Sequence, residues 1–247
     1  MPLRDHFRPP ISEYRRWEGF HGGWPMVIVQ KLVPLLPPGF AAEPRVRLGA
    51  FYEVDIGAYE DGMPESSPFA EGGGGTATLA QPTLAPTFTG ESEVSADYEY
   101  EVLVYDERDG RNLVAAIEIV SPGNKDRRDA RDAFAAKTSR LLGRGICVSI
   151  VDLVTSRKFN LYEKMLRRCR LKDESLGGEP PAIYAATART RPANRPNPHV
   201  RNFDAWFFEL SVGKPLPSIP VWLDEGLRVM VDLEASYEET CKVLAIR

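Results

Sequence analysis

Ten residues near the middle of the chain, Asn112 to Ser121 (NLVAAIEIVS), constrain the fold more than any others. The run LVAAIEIVS is apolar at alternate positions of both parities except at Glu118. A strand that is apolar on both faces belongs at the centre of a sheet covered on both sides. Upstream, Tyr98 to Asp106 reads as a second strand, and Asp109-Gly110 between the two is a strong hairpin-turn dipeptide. Downstream, 126–144 reads as a helix on which Ala130, Ala133, Phe134 and Leu141 define an apolar arc, with Lys137 in its middle. Gly143 and Gly145 end that helix. Ile146 to Val154 follows as another two-sided apolar strand, carrying Asp152. Strand, helix and strand joined by short connections predict a parallel, right-handed crossover. The expected class is α/β, a mixed central sheet flanked by helices.

The flanking sequence adds further elements. Residues 11–36 predict an N-terminal helix with Ser12 as N-cap, interrupted at Gly22, Gly23 and Pro25 and stopped by Pro37-Pro38-Gly39. From Val46 to Ala58 every second residue is apolar, the period of a half-buried strand or bent pair of strands, with Asp55 on the opposite face. Residues 61–97 contain no Lys or Arg and are rich in Gly, Pro, Ser and Thr, which predicts a long, mobile acidic loop. The GGGGT within it is followed by no Lys-Ser/Thr and is not a phosphate-binding loop. Beyond the central unit, 160–171 predicts a short basic helix, Pro180 to Pro198 a surface loop, and Phe203 to Val212 a strand. PLPSIP predicts a rigid extended turn and 225–242 a C-terminal helix. No repeat or domain boundary is visible, so 1–247 is expected to form a single domain with 98–155 as its core unit.

Composition excludes several classes of function. The N-terminus has no apolar core resembling a signal peptide and no stretch reaches membrane-spanning length, so a cytoplasmic protein without membrane association is expected. Cys147, Cys169 and Cys241 form no CxxC pair and are expected to be packing residues. His6, His21 and His199 lack metal-ligand spacing. There is no GxSxG elbow and no glycine-rich nucleotide fingerprint. The net charge of −4 hides an asymmetry, because Lys125 to Lys172 holds 14 Lys/Arg against 5 Asp/Glu. Such a block is either a surface facing nucleic-acid phosphates or a solvated pair of helices.

The chemistry centres on Glu118. A carboxylate in the middle of an apolar strand is expensive unless paired, so it needs an arginine, backbone donors or a divalent cation. Lys137, on the apolar arc of the next helix, either snorkels to the surface or points back at that carboxylate. Asp55 can supply a second acid. Two carboxylates and a lysine are the minimal parts of a phosphodiesterase dependent on Mg2+ or Mn2+: the acids hold a hard cation and the ammonium orients water or neutralises developing charge.

VAAIEIVSPGNK (Val114–Lys125), the helix bearing Lys137, GICVSIVDL (Gly145–Leu153), LPPGF and LPSIPVWL together resemble a bacterial family known as a domain of unknown function. The resemblance runs from about Trp17 to the C-terminus, although LRDHFRPPISEY stands where that family opens on a PFPGMDPYLE-like stretch. The central pattern is also similar to the Uma-type branch of the PD-(D/E)XK, restriction-endonuclease-like superfamily. That similarity implies a nuclease-like core with an added hairpin and a C-terminal strand-helix extension. It implies Asp55 and Glu118 as metal ligands and Glu118 and Lys137 as catalytic residues, with Asp152, Lys125 and Ser121 as possible additional members. The lysine usual two positions after the Glu is Val120 here, so Lys137 or Lys125 must take its place. Three functions are therefore in view: a metal-dependent nuclease, a catalytically silent binding module on the same fold, and an assembly protein acting through its acidic loop and C-terminal helix.

Overall fold

The computed structural model describes residues 2–48, 98–192 and 201–246. Their centre is a six-stranded mixed sheet in the order β1-β2-β3-β4-β5-β6, formed by Phe40–Leu48, Tyr98–Asp106, Asn112–Ile119, Cys147–Asp152, Tyr184–Pro192 and Arg201–Glu209. β1 pairs antiparallel with β2 and β2 with β3, β4 lies parallel to β3, and β5 and β6 return antiparallel. The hairpin between β2 and β3 turns at Gly110, whose φ of 84° is open to glycine and strained for most other residues. Helices lie around the sheet: α1 (Ile11–Tyr14), α2 (Trp17–Leu32), α3 (Pro122–Asp126), α4 (Arg128–Gly143), α5 (Leu161–Arg168) and α6 (Leu233–Val243). β7 (Ser218–Trp222) and β8 (Arg228–Asp232) form a separate two-stranded sheet. The mixed α/β class expected from sequence is the class observed.

The period-two alternation of β3 divides its side chains between two cores. Ala115, Ile117 and Ile119 face α2, α6 and the β7–β8 hairpin, while Val120 belongs with Phe134, Leu142, Leu161, Tyr162 and Met165 on the side of α4 and α5. All of β4 is buried, as its two-sided apolar sequence requires.

Several boundaries differ from expectation. The N-terminal segment is two helices, but the break falls at Arg15-Arg16 and α2 continues through Gly22, Gly23 and Pro25. Phe20, Trp24, Ile28 and Leu32 recur every fourth residue and are fully buried. Burying each of four such side chains contributes ~1.5–3 kcal/mol, which outweighs a propensity cost of ~1 kcal/mol per glycine and ~3 kcal/mol for proline. Ser12 is not the cap; Pro10 precedes α1 and no side chain caps it. The 126–144 helix begins at Arg128 and packs Phe134, Ala135, Thr138 and Leu142 inward, so the buried ridge is rotated from the expected arc and Ala133 is exposed. Pro180–Pro198 is not a loop throughout, because Tyr184–Pro192 is strand β5 with Ala185, Ala186 and Ala188 buried. The expected helix at 225–242 is β8 followed by α6, which starts where the Asp232 carboxylate accepts the Ala235 N–H at 2.9 Å. The strand expected from Val46 begins at Phe40. Its continuation through Asp55, and the acidic segment 61–97, lie outside the described residues. Among the described residues, no helix is long and apolar enough to cross a membrane.

Candidate functional site

β2 and β3 set Glu101 directly opposite Glu118. Both carboxylates are buried on the α4 side of the sheet. Like charges opposite one another destabilise a strand pair, and here a lysine counters both. Lys137, from α4, places Nζ 2.9 Å from Glu118 Oε2 and 3.0 Å from Glu101 Oε2. The Lys137 side chain is 16% exposed against 1% and 3% for the two acids, so the lysine forms the outer wall of the cluster. On β1, Arg45 lies opposite Glu101 with Nε 3.9 Å from Oε1, but Arg45 is largely in solvent and its pull is screened.

Of the two directions open to Lys137 from sequence, the structure shows the one towards Glu118. Asp55 lies outside the described residues. Glu101 is the acid that sequence reasoning missed, although a signal was present: counting outward from the Asp109-Gly110 turn pairs position 101 with 118.

A second buried ion pair lies on the same side of the sheet. Asp152 is two residues past Ile150, the register partner of Glu118. Lys125, from α3, donates to Asp152 Oδ2 at 2.9 Å, to the Ala182 carbonyl at 2.8 Å and to the Val154 carbonyl at 3.4 Å. Asp152 Oδ1 accepts the Val154 N–H at 3.0 Å. Both side chains are wholly buried. Burial pushes the Asp152 carboxyl up to about 6 against the opposing pull of Lys125, and burial lowers Lys125 against the opposing pull of Asp152. Lys125 and Asp152 therefore serve one another and lie apart from the bonds that join Lys137 to the two glutamates. Ser121 caps α3 in a capping box with Asn124, accepting its N–H at 3.3 Å while the Asn124 side chain accepts the Ser121 N–H at 2.8 Å.

Much of the basic block is paired within the chain. Arg157 binds Asp126 at 2.8 Å, Lys164 binds Asp132 at 2.6 Å and Arg167 binds Glu163 at 2.6 Å. Arg131 lies over the Phe159 ring at 4.5 Å. Arg127, Arg144, Lys158, Arg168 and Arg170 are exposed.

Among the described residues, no group of three or more His, Cys, Asp or Glu side chains is placed to hold a metal ion. His6 is buried with Nε2 2.8 Å from the Tyr237 hydroxyl, and burial lowers it to about 4. His21 Nε2 donates to the Ile119 carbonyl at 2.8 Å. The two cross-strand glutamates supply hard oxygen donors, and such a pair suits Mg2+, which is commonly bound through one or two carboxylates with water completing its shell.

Fold and site together define a mixed α/β protein with a buried carboxylate–lysine centre between the sheet and α4. No family model, curated protein or solved structure matches the chain.

Proposed function

We propose that Glu101, Glu118 and Lys137 form the centre of a divalent-metal-dependent phosphodiesterase, nuclease-like and acting on nucleic acid. The observation that carries the reading is the convergence of two cross-strand carboxylates on one helix lysine. Such a trio supplies the ligands and the ammonium of a restriction-endonuclease-like centre, with Glu101 in the role expected of Asp55. The three antiparallel strands, crossover helix and parallel fourth strand that assemble the trio are also in keeping with that architecture. The glutamates would hold Mg2+ or Mn2+, which when bound polarises a phosphoryl oxygen and acidifies water. Lys137 fixes the separation of the two acids and presents positive charge where a phosphate gains negative charge. The exposed arginines and lysines between Arg127 and Lys172 supply phosphate contacts for the substrate backbone.

The second reading is a catalytically silent binding module. It is favoured by the closure of Lys137 onto both acids, which is sufficient to hold them without a metal.

One experiment separates the two. Purified protein is titrated with Mn2+ by calorimetry and assayed on plasmid DNA and single-stranded RNA with Mg2+ or Mn2+. The phosphodiesterase reading expects metal-dependent cleavage that falls about 100-fold or more in Glu118→Gln and Glu101→Gln. Nucleic-acid binding that weakens steeply with salt, unaccompanied by metal uptake or cleavage, establishes the silent module instead. Cleavage that is equal in wild type and Glu118→Gln overturns the site assignment.

A further inference from the structure

Among the described residues, the two outermost strands of the central sheet, β1 and β6, are built differently. β1 carries Pro44 in mid-strand with Glu43, Arg45 and Arg47 around it, and proline and charge are the usual means of keeping an edge from pairing. β6 (RNFDAWFFE) is nine residues long, without proline or lysine, and contains four aromatic side chains. Its sole strand neighbour among the described residues is β5. Asp204, the one acid in mid-strand, is turned back onto Arg189 and Arg191 at 2.9 and 2.8 Å, so it does not guard the edge.

We propose that β6 pairs antiparallel with β6 of a second copy of this chain, about a two-fold axis through Ala205, joining two sheets into one. The sequence of the strand is self-complementary about that residue. Arg201 falls opposite Glu209 of the second copy, Phe203 opposite Phe207, Asp204 opposite Trp206, and no like charges meet. Directly opposed residues share a face, so the dimer contains two aromatic pairs and two ion pairs across the seam. Phe203 and Phe207 are half-buried against the α4–α5 side and keep surface available. Beside Phe207 lies a shallow cleft of about 390 Å³ lined by Ser175, Leu176, Glu179, Pro181, Phe207 and Glu209. Its two acids complement the incoming Arg201. In the single chain Arg201 is held by the Thr190 hydroxyl at 2.9 Å, which places its guanidinium on the correct face.

Sedimentation or light scattering of the full chain tests the proposal. Wild type runs at twice the chain mass and Ala205→Lys, which sets two ammonium groups on the axis, runs as a folded monomer by circular dichroism. Glu209→Arg weakens the dimer about tenfold, and adding Arg201→Glu to it restores pairing. Should Ala205→Lys fail to fold, Ala205→Cys gives the same answer: opposed Cα atoms in an antiparallel pair lie about 4.5–5.5 Å apart, within disulfide reach. That variant then forms an intermolecular disulfide on oxidation, and Ser211→Cys does not. A wild-type monomer, or a dimer that survives Ala205→Lys and gives no crosslink at position 205, overturns the proposal.

Discussion

Replacing Lys125 by Met isolates the energetics of the most deeply buried ion pair. The substitution keeps the length of the side chain and removes its charge, leaving the wholly buried Asp152 with one remaining donor, the Val154 N–H. Removing one partner of a buried pair costs about 3–5 kcal/mol, which for a chain of this size lowers the melting temperature by roughly 6–20 °C. The loss depends on pH with a definite sign. Asp152 titrates at about 6 in the folded chain, raised from its ordinary 3.8 by burial. A raised carboxyl contributes stability below its unfolded value and loses it as pH climbs through the folded one. Without Lys125 the carboxyl is driven higher still, so the loss continues above neutrality at up to ~1.4 kcal/mol per pH unit. The deficit of Lys125→Met relative to wild type is therefore small near about pH 5 and full near about pH 8. Urea denaturation at those two values reads it directly. Equal deficits at both, or no deficit at either, would refute the account of Asp152 as a buried acid held ionised by Lys125. Adding Asp152→Leu to Lys125→Met recovers most of the loss, because a buried pair replaced by apolar groups is often neutral or better.

Two further predictions concern groups held by burial. His6, lowered to about 4 from 6.5, supports the fold fully above about pH 6.5 and progressively less as pH falls towards 4, opposite in sign to Asp152. His6→Gln keeps a partner for the Tyr237 hydroxyl without titrating, and flattens the melting temperature between those values; an unchanged slope would show that His6 is not the group responsible. Among the thiols, Cys147 is buried and pushed up to about 12, while Cys241 is buried and Cys169 is half-exposed. Alkylation of the native protein read by mass spectrometry should modify Cys169 first, and early labelling of Cys147 would contradict its burial.

The sequence by itself determined the centre of this protein. A strand without a polar face can only lie inside a covered sheet, which fixed β3 and β4 at the middle. A helix following such a strand must pack back onto the sheet, which set α4 against β4. Those inferences are local: they rest on neighbours along the chain and on the cost of leaving apolar surface or charge unaccompanied. Tertiary structure alone decided what lies further out. YAATARTRP carries too little apolar bulk to announce a strand, and it becomes one because β4 and β6 supply partners on both sides and alanine lets the layers approach. RVMVD lies inside the expected C-terminal helix, but pairing with β7 makes it a strand, and the helix starts only after the Asp232 cap. Glu101 required a register, fixed when the Asp109-Gly110 turn and two strands close together. The identity of the buried charges was written in the chain, and their pairing, Lys137 to two glutamates and Lys125 to Asp152, was settled by which side chains the folded sheet leaves within reach.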